Sequence, residues 1–369
     1  MPRGMTIVVL RALQLGDMLC AVPALRALRR LHPQAHIALI GLPWASGVTV
    51  ESNTGDEAAR EIDRFERFRG RAIDIYNAFA NHQGTWEQYL DAFFWTHGLP
   101  EVLARRRVLV VMSIAPVVQQ YDANPSGNEG IRRAARGDYD RFHEILARRI
   151  RGFGWRKPNI IRLGWEPSDP GRAYSYALDA AAGYANYKEM MRRIAGIYRG
   201  VLDPNRQGDC LIDWCNLRRP TTDPRPAYPG NHVVDIIGMD MYGNAADIGY
   251  PTDLAEFERE YLRRRGPGGA PWSVEAWQTF ARNHGKPIAI DESGVTNPQG
   301  PNRPADWATW VRGMFHFYRA NHGAGPGELL YEIYFNRIRD YAQGNGAHVV
   351  VPPSVNPDAA AEYRRLYHP

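Results

Sequence analysis

The sequence has 369 residues, of which 44% are hydrophobic and 23% are charged, so the chain can bury the core of a globular protein. Its 45 basic and 40 acidic residues give a net charge of +5 that is dispersed along the chain, which argues against the concentrated basic stripe of a nucleic-acid-binding protein. No apolar run approaches the roughly 20 residues of a membrane span, and the three cysteines lack disulfide or zinc spacing, so we expect neither a membrane partner nor a metal site.

The N-terminal residues predict a strand, a helix and a second strand. Thr6–Leu10 and His36–Leu42 are apolar runs, and Ala21–Leu31 carries leucines at helical spacing. The pattern then restarts with a new series of strands. We therefore predict a short β-α-β segment over residues 1–46 and a second, larger unit over residues 47–369.

The N-terminal apolar run is too short and too polar in its surroundings for a signal peptide. Ile7–Leu10 is followed at once by Arg11, and Asp17 comes six residues later. This favours a cytoplasmic location, and secretion without a recognisable signal is the alternative.

The larger unit contains eight strand-like runs, most of them continuously apolar, as is typical of strands buried on both faces of a parallel sheet. They are Val48–Glu51, Ala72–Phe79, Val108–Ala115, Asn159–Trp165, Asp209–Trp214, Val233–Met241, Pro287–Asp291 and Glu328–Phe335. Amphipathic segments between or after them predict helices at Asp56–Phe68, Tyr89–Thr96, Tyr139–Arg151, Tyr184–Val201, Asp253–Arg265, Val274–His284, Ala305–Asn321 and Pro357–Tyr367. Alternation of eight strands with helices predicts a closed (β/α)₈ TIM barrel, with an open doubly wound sheet as the alternative.

Catalytic groups of such barrels lie at the carboxyl ends of the strands, and the fourth strand ends on an acid. Glu166 follows this strand directly, beside Trp165, in partly apolar surroundings that would raise the pKa of a carboxyl toward that of a general acid. The alternative interpretation is a solvated loop residue or an ion-pair partner of Arg162.

The seventh strand also ends on acids, Asp291 and Glu292. Because side chains alternate along a strand, only one of the two is expected to face the barrel axis. Hydrolysis of a glycosidic bond needs one carboxyl to protonate the leaving oxygen and a second to attack or to activate water. Carboxyls at the ends of the fourth and seventh strands would face each other across the barrel mouth.

These segments resemble those of a known family. Gly-Trp-Glu after an Arg-Leu strand and Pro-Ile-Ala-Ile-Asp-Glu-Ser-Gly further on are similar to the acid/base and nucleophile segments of clan A retaining glycosidases, above all glycoside hydrolase family 26. The resemblance covers most of residues 47–369 and includes the stretches 235–242 and 334–337. It implies Glu166 as acid/base, Glu292 as nucleophile and Tyr242 as a neighbour that orients Glu292.

The sequence departs from the mannanase members of that family. Trp165 stands where those enzymes usually have a histidine, and the loop after Glu166 is Pro-Ser-Asp-Pro rather than one with asparagine and glycine. The resemblance therefore implies hydrolysis of a β-linked glycan, namely a β-mannan, β-glucan, β-xylan or bacterial exopolysaccharide, without singling out mannan. The reaction needs no cofactor.

Aromatic and polar residues at the strand ends are the candidates for sugar binding, because indole and phenol rings pack on the apolar faces of sugars. For each aromatic residue the alternative is an ordinary place in the core. The candidates are Trp86, Trp165, Trp214 and Tyr242 for stacking, and His82, Asp213, Asn216 and Asp240 for hydrogen bonds.

The N-terminal segment resembles a different family. Residues 10–17 and 22–28 are similar to the opening β-α-β unit of glycosyltransferase family 9, the heptosyltransferases. The rest of such a two-domain enzyme has no counterpart here. A glycan hydrolase is thus the first hypothesis, a catalytically inactive carbohydrate-binding barrel the second, and a glycosyltransferase-related protein the third.

Overall fold

The structure is a computed structural model. It describes residues 6–10, 30–31, 36–40, 44–50, 55–80, 84–92, 98–118, 128–154, 156–243, 251–295, 307–336, 350–351, 353 and 355–368. None of the helices within these ranges is long and apolar enough to cross a membrane.

The described residues form ten strands. They are β1 Thr6–Leu10, β2 His36–Ile40, β3 Ala45–Val50, β4 Ile75–Phe79, β5 Leu109–Ile114, β6 Asn159–Leu163, β7 Cys210–Leu217, β8 Ile236–Gly243, β9 Ile288–Val295 and β10 Leu329–Asn336. Strands β3 to β10 form a closed barrel in which each strand pairs in parallel with its sequence neighbours, and β10 pairs in parallel with β3. The predicted (β/α)₈ barrel is confirmed, and the open sheet is excluded.

Helices occupy the connections between the strands. They are α1 Gly55–Arg69, α2 Trp86–Ala92, α3 Leu99–Arg105, α4 Glu129–Arg136, α5 Asp140–Phe153, α6 Ala185–Leu202, α7 Leu254–Phe257, α8 Val274–Asn283, α9 Ala308–Asn321 and α10 Pro357–Tyr367. A 3₁₀ helix, Tyr176–Ala182, precedes α6, and α7 continues as a π-helical segment, Glu258–Leu262. The sequence analysis predicted neither α3 nor α4, which have only 7 and 8 residues and so show only about two turns of helical periodicity.

The core has two layers. A large cluster of apolar side chains lies between the outer faces of the strands and the helices. A smaller cluster draws its members from seven of the eight barrel strands, and a β7 residue packs against it, so it fills the barrel interior. Its members are Ala45, Ile75, Leu109, Val111, Ile160, Ile236, Ala289, Leu330, Tyr331 and Ile333, with Leu211 packed against them. Polar residues replace apolar ones further along the strands, toward the carboxyl-terminal mouth.

The two N-terminal strands form a separate two-stranded parallel sheet, with Thr6 opposite His36 and Leu10 opposite Ile40. Both strands were predicted. Most of the predicted helix between them lies outside the described residues, and the likeness to a glycosyltransferase stays a prediction, as does the division of the chain into two units.

Candidate active site

The interior of the barrel becomes polar directly above its apolar layer. Asp213 on β7 and Asp291 on β9 are both fully buried and both lie within hydrogen-bond distance of the Tyr331 hydroxyl, which is 2.6 Å from Asp291 Oδ1. Burial, and then the charge of Asp291, raises the pKa of Asp213 well above its usual range. Two carboxyls this close share a proton more readily than they both ionise. The two aspartates therefore form the lowest polar layer of the barrel interior, directly below the layer that contains Arg162.

The next layer is organised by one arginine. Arg162 on β6 is fully buried and donates to both oxygens of Asp240 on β8, at 2.6 and 2.5 Å, and to Glu292 Oε1 at 2.5 Å. It also donates to the sulfur of Cys215 at 3.0 Å. A planar guanidinium can bind two carboxylates at once in a fixed geometry. Arg162 thus links β6, β7, β8 and β9 and fixes one oxygen of Glu292.

Tyr242 holds the other carboxylate oxygen of Glu292 in place. This residue ends β8 next to Glu292, and its hydroxyl donates to Glu292 Oε2 at 2.5 Å. Burial, followed by the charge of Glu292, raises the pKa of the Tyr242 phenol well above its usual range, so the phenol stays a hydrogen-bond donor. Glu292 is 6% exposed and is held from both sides.

Both Asp291 and Glu292 reach the barrel interior, although strict alternation predicted that only one would. The pairing with β8 shifts between Met239, opposite Ile290, and Asp240, opposite Glu292, and the pairing with β10 shifts at the same point. One extra residue on β9 is the mark of a β-bulge, which turns two successive side chains toward one face. Asp291 consequently lies among the buried carboxyls, and Glu292 lies one layer nearer the mouth.

Glu166 lies in the loop that follows β6, with its side chain 19% exposed. Its backbone φ is +50°, and that of Gly164 is +72°, so the chain turns sharply where it leaves the barrel. A left-handed non-glycine residue costs of order 1 kcal/mol and persists only where its surroundings impose it. Here Tyr174 donates to the carbonyl of Trp165 at 3.0 Å, and Ser175 donates to that of Pro167 at 2.8 Å.

The electrostatic surroundings of Glu166 differ from those of Glu292. Burial, and then the negative charge of Glu292, raises the pKa of Glu166. Arg172 and Arg162 oppose this effect, and Arg172 donates from Nη2 to Glu166 Oε2 at 2.9 Å. The ion-pair partner of Glu166 is therefore Arg172, whereas the sequence had suggested Arg162, which binds Glu292 instead.

Four aromatic side chains surround this pair of acids at the mouth. Phe79 at the end of β4 packs edge-on against Trp165, with ring centroids 5.2 Å apart, and against Phe335 on β10 at 6.4 Å. Phe335 in turn packs edge-on against Tyr242 at 6.0 Å. Together they form an apolar wall beside the two carboxyls, suited to the apolar face of a sugar ring.

Of the eight predicted sugar-binding residues, Trp165 and Tyr242 lie at the mouth. Trp165 is only 5% exposed, so it presents an edge rather than a full ring face. Asp213 is fully buried below the mouth, and Asp240 is 2% exposed and engaged by Arg162. These two aspartates therefore do not offer a free carboxylate to a sugar, and Asp240 braces the barrel interior through Arg162.

Three further predicted sugar-binding residues are buried in the protein instead of exposed at the barrel mouth. Trp214 is fully buried outside the barrel, where its indole N–H donates to Tyr187 at 2.9 Å. Trp86 is 3% exposed and stacks on Phe142 with centroids 4.9 Å apart. Asn216 is fully buried at the end of β7. None of these three side chains offers a surface to a sugar, and the remaining candidate, His82, lies outside the described residues.

Phe79, Phe335 and Arg172 belong to the site but were not among the residues predicted from the sequence. The first two occupy strand ends, the position used to select the other candidates, and could have been selected in the same way. The contact of Arg172 with Glu166 depends on how the loop folds, which no spacing in the sequence shows.

The acids of the barrel interior also raise the question of a metal site. Cys215, Asp240 and Asp291 lie close enough together to hold an ion. The guanidinium of Arg162, however, already binds both Asp240 and Cys215, so a second cation would meet positive charge there. The donor set thus suits the arginine better than a metal.

No family model and no curated protein sequence matches the chain significantly. Solved structures do resemble it. A double mutant of the endo-β-1,4-mannanase of Cellulomonas fimi is 15% identical with a TM-score of 0.57, covering 88% of this chain and 70% of that one. GH26C from Muricauda sp. MAR_2010_75 is 14% identical with a TM-score of 0.56 (88% and 85% covered), and a GH26 β-mannanase from Bacteroides ovatus is 14% identical with a TM-score of 0.53 (87% and 88%). At these identities the likeness concerns the fold, and the chain has a barrel fold like that of GH26 mannanases.

Proposed function

We propose that this chain is a retaining glycoside hydrolase that cleaves a β-linked glycan, with Glu292 as the nucleophile and Glu166 as the general acid and base. The observation that carries the proposal is the electrostatic difference between two acids at one barrel mouth. The pKa of Glu166 is raised by burial and by Glu292, whereas Glu292 is fixed by Arg162 and Tyr242. One acid is suited to give a proton and the other to attack.

The mechanism follows from this difference. In the first step an oxygen of Glu292 attacks the anomeric carbon, while Glu166 protonates the leaving glycosidic oxygen. The ester that forms carries no charge at Glu292, so the contribution of Glu292 to the raised pKa of Glu166 disappears. Glu166 is then better able to act as the base that activates water in the second step, which releases the sugar with retained configuration.

The proposed substrate belongs to the class of β-linked glycans. The candidates are β-mannan, β-glucan, β-xylan and bacterial exopolysaccharide. Several proteins with a similar fold are named mannanases. Here Trp165 replaces the usual histidine before the acid/base, which argues against assuming mannan for this chain.

A second candidate is a carbohydrate-binding barrel without activity. The ion pair between Arg172 and Glu166 favours this reading, because a guanidinium favours the ionised form of the acid that must donate a proton. Such a protein would bind a glycan and release no product.

The test is hydrolysis of a panel of β-glycans by the parent, Glu166→Ala and Glu292→Ala. We expect reducing sugar from the parent and a loss of roughly 10³-fold or more in each variant. Azide should restore turnover of an activated aryl glycoside, giving the α-glycosyl azide with Glu292→Ala and the β-glycosyl azide with Glu166→Ala. Glu189→Gln, on the surface of α6, is the control and should keep full activity. Binding without turnover in the parent would contradict the hydrolase and support the binding barrel.

A further inference from the structure

Arg172 has a guanidinium whose hydrogen-bonding capacity is mostly unused. It lies in the loop after β6, 25% exposed, with its guanidinium carbon 5.7 Å from the centre of the Trp165 ring. Among the described residues its guanidinium donates one hydrogen bond, to Glu166, and its Nε is buried without a hydrogen-bond partner. The remaining N–H groups therefore suit a further anion, which the described residues do not supply.

The position of Arg172 also conflicts with the role proposed for Glu166. A general acid must hold its proton until the glycosidic bond breaks, and a cation 2.9 Å away favours loss of that proton. Asp169 does not remove the conflict, because its nearest oxygen is 3.6 Å from Arg172 Nε and its side chain is 43% exposed. Asp169 instead accepts a hydrogen bond from Gly171. Arg172 therefore offsets part of the rise in the pKa of Glu166, and an anion that engages Arg172 would remove this offset.

A second arginine at the mouth also lies over a tryptophan ring. Arg219, two residues after the end of β7, lies with its guanidinium carbon 4.4 Å from the centre of the Trp272 ring. The loops after β6 and β7 are joined by a 2.7 Å hydrogen bond from Thr221 to the carbonyl of Ser168. Two adjoining loops of the mouth each carry an arginine over an indole ring, a combination that offers both an apolar face and a cation.

We propose, building on the function proposed above, that the natural glycan carries a carboxylate on the sugar at the leaving-group side of the scissile bond, and that Arg172 binds it. Glu166 protonates the oxygen that belongs to this sugar, so a group that contacts Glu166 from the loop lies beside it. When the substrate carboxylate pairs with Arg172, Glu166 loses its cation and gains a neighbouring negative charge. Both changes favour the protonated form of Glu166, so the correct substrate switches on the acid.

The first test compares an acidic glycan with its own neutral form. A β-linked polysaccharide that contains glucuronic acid is converted to the neutral sugar by carbodiimide activation and borohydride reduction, which leaves the linkages unchanged. The parent should prefer the acidic form by roughly tenfold or more in kcat/KM, the range expected for a charge-assisted hydrogen bond. A pyruvylated β-glycan and its depyruvylated form distinguish a uronic acid from a ketal as the source of the carboxylate.

The second test removes the cation. Arg172→Met should abolish the preference by weakening hydrolysis of the acidic form more than that of the neutral form. Arg225→Met, on the loop after β7 and ion-paired with Asp223 at the surface, is the matched control and should keep the preference. A preference unchanged in Arg172→Met would overturn the assignment.

A pH profile distinguishes this coupling from a merely structural role. The charged and titratable groups that interact with Glu166 come from four elements: Arg172 and Tyr174 from its own loop, Glu292 from β9, Arg162 from β6, and Asp240 and Tyr242 from β8. Because Arg172 lowers the pKa of Glu166, the alkaline limb of kcat/KM on the neutral glycan should move to higher pH in Arg172→Met. An unmoved limb would contradict the coupling.

Failure of this inference can be separated from failure of the hydrolase proposal. If the parent hydrolyses no glycan, calorimetric binding of the acidic and reduced forms still decides the matter. Tighter binding of the acidic form, lost in Arg172→Met and kept in Arg225→Met, supports the carboxylate site in a protein that is not a hydrolase. Hydrolysis or binding that is equal for the two forms, or stronger for the neutral form, rejects the carboxylate site.

Discussion

Glu332 should make the stability of the fold depend on pH. This residue lies on β10 between the inward-facing Tyr331 and Ile333, and it is fully buried in the layer between the barrel and the helices. Burial raises the pKa of Glu332 from an ordinary 4.5 to about 7, and the nearby Ser46 and Arg69 lower it only in part. That difference corresponds to about 3 kcal/mol of unfolding free energy.

The sign follows from the two protonation states. Below about pH 4.5 the Glu332 carboxyl is protonated in both the folded and the unfolded chain, so it costs nothing. Between about pH 4.5 and 7 the unfolded chain loses the proton while the folded chain keeps it, so the free energy of unfolding falls as pH rises. Above about pH 7 the folded chain has also lost the proton, and the decrease in the free energy of unfolding is complete.

Urea denaturation at pH 4 and pH 8 measures this effect. Glu332→Gln keeps the shape and cannot ionise, so relative to the parent it should gain up to ~3 kcal/mol between the two pH values. Glu144→Gln, which removes a partly exposed acid on α5 that pairs with Arg148, is the control and should not change the pH dependence appreciably. The same pH dependence in Glu332→Gln and the parent would refute the reasoning.

Three further substitutions test the interior layers and the mouth. Gly238→Ala would place a Cβ 1.9 Å from Asp291 Oδ2 and 2.5 Å from Asp213 Oδ1. Because this contact is too short, we expect urea denaturation to show a loss of ~1–3 kcal/mol in stability, and kcat to fall. Wild-type stability would contradict the close packing. Tyr242→Phe removes a hydrogen bond to the buried Glu292 carboxylate, so it should lower kcat roughly 10- to 100-fold and cost about 1–3 kcal/mol of stability. Full activity would show that the bond is dispensable. Trp214→Ala should cost ~3–5 kcal/mol of stability with KM unchanged, whereas a raised KM would return this residue to the sugar site.

The architecture was predictable because the barrel strands are buried on both faces. Continuous apolar runs such as residues 108–115 and 159–165 gave the correct strand positions, and α10 has the predicted bounds. Strand ends also directed attention to Glu166 and Glu292. Glu166 lies in the loop just after β6, Glu292 lies in the carboxyl-terminal half of β9, and the charge of Glu292 acts on Glu166.

Other features depend on geometry that a pattern of residue types does not contain. The rule of alternation excluded either Asp291 or Glu292 from the interior, but a bulge in β9 admits both. Trp214 was selected for its place near a strand end, yet its side chain points to the helices, because neighbouring positions on one strand face opposite layers. The partner of Glu166 depends on a loop with left-handed residues, and hydrophobic periodicity does not reveal such a loop.

The central claim is that Glu292 attacks the sugar. A 2-deoxy-2-fluoro glycosyl fluoride of the hydrolysed sugar slows the second step more than the first, so a covalent intermediate accumulates and its peptide can be mapped by mass spectrometry. The account predicts one sugar per chain, attached to Glu292, and no labelling of Glu292→Gln. A sugar attached to Asp291, or continued turnover with inversion and no labelled peptide, would contradict it.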